Sequence, residues 1–167
     1  MSVESPPTNP APGSAPEARI YRLLGTLYLQ PPDRELLETV GLWAERWLDR
    51  DPPERVAEAL EPLAAMEPSD ADRLNEAFTT LFRGVVPGTP RPPYESAYRD
   101  GEIDPGGRSL RQEYREAGVD VAPDSGELAD HLGIELHFVA TLLAEGRRPR
   151  AEQFLADHPR QFFDEVA

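Results

Sequence analysis

"TTLFRGVVPGTPRPPYESAYRDGE", Thr79 to Glu102, decides how this chain is laid out. Leu74, Ala77, Phe78, Leu81 and Phe82 recur at helical spacing and then stop. Pro87, Pro90, Pro92 and Pro93 follow, and a residue without an N–H whose ring clashes with the preceding turn forbids a helix there. Behind them come Tyr94, Glu95, Ser96 and Tyr98; the i, i+4 spacing of the tyrosines predicts a helical turn starting after Pro93. A proline-stiffened segment has fewer unfolded conformations to lose, so ordering it is cheap. Two readings stand: a rigid crossover between helical halves, or the rim of a recognition groove, which suits tyrosine's apolar body and polar tip.

Helical patterns continue on both sides. Upstream, Ile20, Leu23, Leu24, Leu27 and Tyr28 form a stripe that ends before Pro31-Pro32. Asp33 is placed to cap a second helix, with Leu36, Leu37, Val40, Trp43, Ala44, Trp47 and Leu48 on one face. The two tryptophans, one turn apart, read as core. Pro52-Pro53 opens a third helix carrying Val56, Ala59, Leu60, Leu63 and Ala64, and Ser69 with Asp72 resembles a capping box for the fourth. Downstream, "DPGGRS" reads as a turn, Leu110 to Ala117 as a short helix, and Gly118 as its C′ residue. Asp124 or Ser125 is expected to cap the next helix, with Leu128, Leu132, Glu135, Leu136, Val139, Leu142 and Leu143 as its stripe and Gly146 as its end. Pro149 suits the first turn of a last helix holding Phe154, Leu155, Phe162, Phe163 and Val166, interrupted at Pro159. No segment alternates long enough to make a strand. The prediction is an all-α, single-domain helical bundle of about seven helices with a Pro-rich central loop. Residues 1–16, rich in Pro, Ser and Ala, are expected to be a disordered tail, and 17–167 the domain.

Composition narrows the function. A chain of 167 residues with 39% apolar residues buries a real core. Its net charge is −14, and all 17 basic residues are arginine. Such a surface repels nucleic-acid phosphates and anionic lipid, and attracts cationic partners such as Arg-rich peptides. Solubility or adaptation to high salt explains the same acidity. There is no cysteine, hence no disulfide framework or thiolate metal site. No apolar run approaches membrane-spanning length, and the N-terminus lacks the basic and apolar regions of a secretory signal. A cytoplasmic protein is expected.

Motifs that carry chemistry are scarce: no P-loop, GxGxxG, GxSxG or HExxH occurs. "DHLGIEL" sets Asp130 and His131 at a helix start with Glu135 one turn on. A His and a carboxylate at i, i+4 can donate to a metal, so one reading is a metal-dependent enzyme of unknown reaction using Asp130, His131 and Glu135. Spacing fixes no further ligand. The other reading is that Glu135 orients His131 by a hydrogen bond. Glu135 lies on the apolar stripe itself, where a carboxylate needs a partner or a raised pKa. It belongs to a structural polar cluster or lines a groove facing a cation. Catalysis would need a second, differently tuned group, which the sequence does not name.

"LNEAFTTLFRGVVPGTPRPPYESAYRDGE" resembles the central signature of the TorD/DmsD-like redox enzyme maturation chaperones: a helix ending Leu-Phe, a Pro-rich loop, then Pro-Pro-(Tyr or Trp)-Glu-Ser-x-Tyr. "YREAGVDVAPDSGELADHLGIELHFVATL" resembles the second signature, Tyr-x-x-x-Gly and then Asp-His-(Ile or Leu)-x-x-Glu-Leu-x-Phe. The resemblance covers about Ile20 to His158. It implies a chaperone, not an enzyme, with no cofactor of its own. Its partners would be the apo catalytic subunit of a molybdopterin-dependent oxidoreductase and that subunit's twin-arginine leader, held back from export until cofactor is inserted. Family residues linked to leader binding carry over to Pro93, Tyr94, Asp130 and His131; Glu95, Ser96, Tyr98 and Glu135 belong to the same signatures. Two departures stand out: Leu128 where the family often has proline, and an end at Ala167 where relatives continue through more helices. The resemblance therefore allows a trimmed fold, one completed by a partner, or a dimer that exchanges helices.

Overall fold

The computed structural model describes residues 16–83, 91–99, 108–119 and 126–166, and these are all helix, turn and connection. Four helices precede the proline segment: α1 (Pro16–Leu29), α2 (Arg34–Leu48), α3 (Glu54–Ala64) and α4 (Ala71–Phe82). Four follow it: α5 (Arg108–Glu116), α6 (Leu132–Ala144), α7 (Arg148–Asp157) and α8 (Phe163–Val166). Short 3-10 turns occupy Pro68–Asp70, Glu95–Ala97 and Pro159–Gln161. The turn at 95–97 is the one the tyrosine spacing predicts. The eighth helix is the tail of the predicted last one, split off at Pro159.

The sequence explains most helix ends. Asp33 has extended backbone, and its carboxylate accepts from the Leu36 N–H at 2.8 Å, satisfying one orphan donor of α2. Gly118 and Gly146 take φ of 81° and 73°, left-handed values that a Cβ disfavours. Each closes its helix with the same pair of bonds. Gly118 N donates to Arg115 O and Val119 N to Tyr114 O; Gly146 N donates to Leu143 O and Arg147 N to Leu142 O.

Helix α6 is apolar on nearly every side and forms the centre of the fold. α1 packs along it, α7 crosses it, and α2 pairs with α3. The rings of Tyr114, Phe138 and Phe154 fill the core between α5, α6 and α7, with centroids 4.6–6.0 Å apart. Leu132 and Leu136 pack on Phe162 and Val166, which fastens the last helix beneath the start of α6. Where α1 meets α6, a Cβ on Gly133 would lie 2.6 Å from Gly25 O, so two backbones touch there. At the end of α4, Arg91 N donates to Leu81 O at 2.8 Å and brings the chain back to the point it left.

Several expectations are corrected. The capping group before α4 is not Ser69 with Asp72: Glu67 N donates to Asp70 Oδ2 at 3.1 Å, because the intervening 3-10 turn presents that amide first. Helix α6 starts at Leu132, capped by His131; Leu128 lies outside it and is exposed, while Asp124 and Ser125 lie outside the described residues. Trp43 and Trp47 are half-buried, their rings tilted against each other at 6.3 Å with Arg50 over Trp47. Helix α1 begins at Pro16, the last residue assigned to the tail; residues 1–15 lie outside the described set. No helix among the described residues is long and apolar enough to cross a membrane.

Candidate functional site

The two sequence signatures meet where the proline segment crosses the start of α6. Leu132 N donates to Pro93 O at 2.8 Å, and Glu95 N donates to Asp130 O at 2.9 Å. Tyr94 and His131 thus face each other as an isolated antiparallel bridge. Asp130 adds a side-chain bond, its Oδ2 accepting from Ser96 N at 3.1 Å. Pro93, lacking an N–H, is buried at no cost in unsatisfied donors. The Tyr94 ring stands edge-on to the His131 ring at 5.0 Å. His131 Nδ1 accepts from Gly133 N at 3.0 Å and so caps α6 as a short polar side chain would. An accepting Nδ1 carries no proton. Burial, the largest influence, lowers the His131 pKa; the Glu127 and Asp130 charges oppose it, and Arg83 adds to it.

Three of the predicted carboxylates point inward. Glu95, Asp130 and Glu135 are 5%, 4% and 0% exposed. Glu95 is held by Arg99 Nη1 at 2.8 Å and His158 Nδ1 at 3.1 Å, and His158 Nε2 reaches Glu113 at 3.6 Å. Arg99 also donates to Asp157 O at 2.8 Å, tying the 95–97 turn to the end of α7. Glu135 does not orient His131, whose accepting nitrogen is taken by the helix backbone. Both Glu135 oxygens are buried with no hydrogen-bond partner among the described residues. Burial raises its pKa well above the ordinary carboxylate value, Glu95 and Asp130 push the same way, and Arg99 opposes. Burial thus favours the protonated acid of Glu135 over its carboxylate. Tyr98 stacks on Phe162 at 5.9 Å and is half-buried. Among the described residues no group of three or more His, Cys, Asp or Glu is placed to hold a metal ion.

The accessible features lie on the other side of the crossing. A notch of about 30 Å³ opens between Tyr28, Phe82, Arg83, Tyr94, Glu127 and His131, floored by Pro93. In it Tyr94 OH donates to Glu127 Oε2 at 2.5 Å, and Arg83 Nη2 lies 3.7 Å from Glu127 Oε1. Burial, and then that bond to Glu127, pushes the Tyr94 pKa up to about 12. Phe78 and Phe82 form a wall shared with a second space, an apolar cleft of about 210 Å³ between α1, α2, α3 and α4. Its lining includes Leu27, Leu37, Val40, Leu63, Leu74 and Leu81. The eight predicted residues are thus gathered at one crossing, with Ser96 exposed, Tyr94 and Tyr98 half-buried, and the rest buried. Glu127 and Arg83 were missed by sequence reasoning. Neither sits on an apolar stripe; only proximity to Asp130 and to the Leu-Phe helix end marks them.

Residues 49–167 match the family model described as nitrate reductase delta subunit. The chain is 36% identical over 150 residues to the Tat proofreading chaperone DmsD of Salmonella typhi, covering 82% of this chain and 69% of the relative. The DmsD proteins of Salmonella paratyphi A and Salmonella typhimurium match with the same identity and coverage. A solved structure of a redox enzyme maturation protein from Archaeoglobus fulgidus superposes with a TM-score of 0.51 at 21% identity, covering 74% of this chain and 70% of that one, a likeness of fold.

Proposed function

Since the chain belongs to the nitrate reductase delta subunit family and is 36% identical to proofreading chaperones of the DmsD kind, we propose that it is a maturation chaperone for a molybdopterin-dependent oxidoreductase. It binds the apo catalytic subunit and that subunit's twin-arginine leader in the cytoplasm, holds it there until cofactor is inserted, and catalyses no reaction itself.

One observation carries the leader reading: a notch with a carboxylate shares a wall with an apolar cleft. A twin-arginine leader has two guanidiniums followed by an apolar stretch, and needs those two environments side by side. Glu127 is the acceptor for a guanidinium, since Glu95, Asp130 and Glu135 are closed off by burial. A guanidinium can bond a carboxylate through two parallel N–H groups, which an ammonium cannot reproduce. Tyr94 faces the peptide and Pro93 and His131 wall the notch, while Ser96 and Tyr98 line neither space. Glu95, Asp130 and Glu135 hold the crossing in shape. Apolar burial in the cleft contributes about 25 cal/mol per Å² before ordering costs are subtracted, so binding is moderate and reversible, as a handover requires. One copy supplies both environments, so a monomer suffices; a dimer exchanging helices would have to rebuild the same pair of spaces.

The test is a titration of a labelled twin-arginine leader beside the same peptide with Lys-Lys. The expected result is binding of the first at least about tenfold tighter than the second, as loss of a bidentate charged pair predicts. Equal affinities, or no binding of either, would overturn the leader reading.

A further inference from the structure

We infer that Arg83 is a built-in competitor for the notch: its guanidinium covers the Glu127 carboxylate that a ligand's arginine must reach, and yields when a better-placed guanidinium arrives. The inference rests on the reading of notch and cleft as a leader receptor, and says how that receptor is kept closed and selective.

The geometry is that of a placeholder. Arg83 Nη2 stands 3.7 Å from Glu127 Oε1, well beyond the roughly 2.7–2.9 Å of a charge-assisted hydrogen bond. The pair is therefore ionic without the two-pronged geometry that makes arginine a strong partner. The Arg83 side chain is 55% exposed and the Glu127 side chain 15%, so the arginine can leave into water while the acid stays in place. Glu127 is fixed from the other side by the Tyr94 hydroxyl. The notch measures about 30 Å³ with Arg83 lining it. Against the roughly 10–15 Å³ that one water requires, the notch admits a water or two beside the Arg83 guanidinium. Swinging Arg83 outward removes its own guanidinium from the lining and widens the notch beside Glu127. Position adds to this. Arg83 is the C-cap of α4, one residue past Phe82, which walls both notch and cleft. An apolar segment entering the cleft therefore presses on the turn that carries the competitor. A ligand with a cation but no apolar segment, or the reverse, meets only half of what displaces it.

The test uses the full chain and two probes, the twin-arginine leader and the dipeptide N-acetyl-Arg-Arg-amide, the latter followed by NMR of Tyr94 and His131. Arg83→Gln is expected to bind both probes about two- to fivefold more tightly, the span expected from releasing one exposed ion pair. The gain should vanish in the Glu127→Gln background. Arg73→Gln, which changes the net charge equally at a site paired with Asp70, should show no such gain. Unchanged or weaker binding by Arg83→Gln, a gain that survives Glu127→Gln, or an equal gain in Arg73→Gln would each overturn the competitor. Leader binding that is equal in wild type and Arg83→Gln sinks the competitor and spares the leader reading. A dipeptide that gains in Arg83→Gln while the leader binds neither protein does the reverse.

Discussion

Among the side chains bracing the crossing, Glu135 has no hydrogen-bond partner for either oxygen among the described residues, and two other carboxylates, Glu95 and Asp130, are near enough to repel it. Its pKa is raised on folding, so the native state holds a proton that the unfolded chain gives up near its ordinary value of 4.5. The stability this contributes is complete below that value and is lost as pH rises from there toward the native pKa. Glu135→Gln keeps the shape and discards the proton. Its melting temperature should match wild type near pH 4.5 and exceed it by roughly 3–6 °C at pH 8, as scanning calorimetry at both values would show. A variant that melts lower than wild type at pH 8 would mean the carboxylate is charged and partnered. The sequence placed Glu135 on an apolar stripe, and so its burial was legible. Its isolation was not. That depends on His131 turning its Nδ1 to the Gly133 amide, a choice made by the orphan donors of a helix start that the residue pattern put several positions too early.

At the scale of elements, proline punctuation and helical spacing located α1 to α5 closely, because Pro31-Pro32, Pro52-Pro53 and Gly118 each act through local backbone chemistry. Spacing misled at α6: Leu128 fits an i, i+4 stripe with Leu132 yet lies on the connection that delivers Asp130 to the crossing. Nor could spacing reveal the contact of α1 with α6, since a glycine in a helix looks like a weakness until its neighbour is known. A Cβ at Gly133 would sit 2.6 Å from the Gly25 carbonyl oxygen and 2.6 Å from Leu29 Cγ, and the backbone oxygen cannot step aside. Gly133→Ala should therefore cost about 3 kcal/mol, by forcing the helices apart. Gly41, in α2, has nothing nearer than the Met66 carbonyl at 3.6 Å. Gly41→Ala should instead gain about 0.5–1 kcal/mol from helix propensity. Urea unfolding of the two variants decides the pair; similar losses in both would mean the helix crossing is not tight.

Across the whole molecule, charge and shape were unequally legible. The acidity is a matter of counting, and it is uneven: residues 33–76 hold 13 acidic and 5 basic side chains, a net −8 of the chain's −14. The apolar cleft borders that segment and could not be read, because its lining comes from four helices whose stripes each look like ordinary core. Only their arrangement leaves a gap. A cationic leader approaching this field should associate about tenfold more slowly at 0.5 M than at 0.02 M salt, with a smaller change in its dissociation rate. Stopped-flow fluorescence separates the two rates, and a salt-independent association rate would remove electrostatic steering from the account. The amide of Arg91 donates to the Leu81 carbonyl, so the described chain on either side of residues 84–90 is held together. Doubling the length of a connection between two points so held adds only about 0.6 kcal/mol of closure cost. A fluorophore-bearing epitope spliced there would sit beside the notch and register its occupancy, leaving both chain ends untouched.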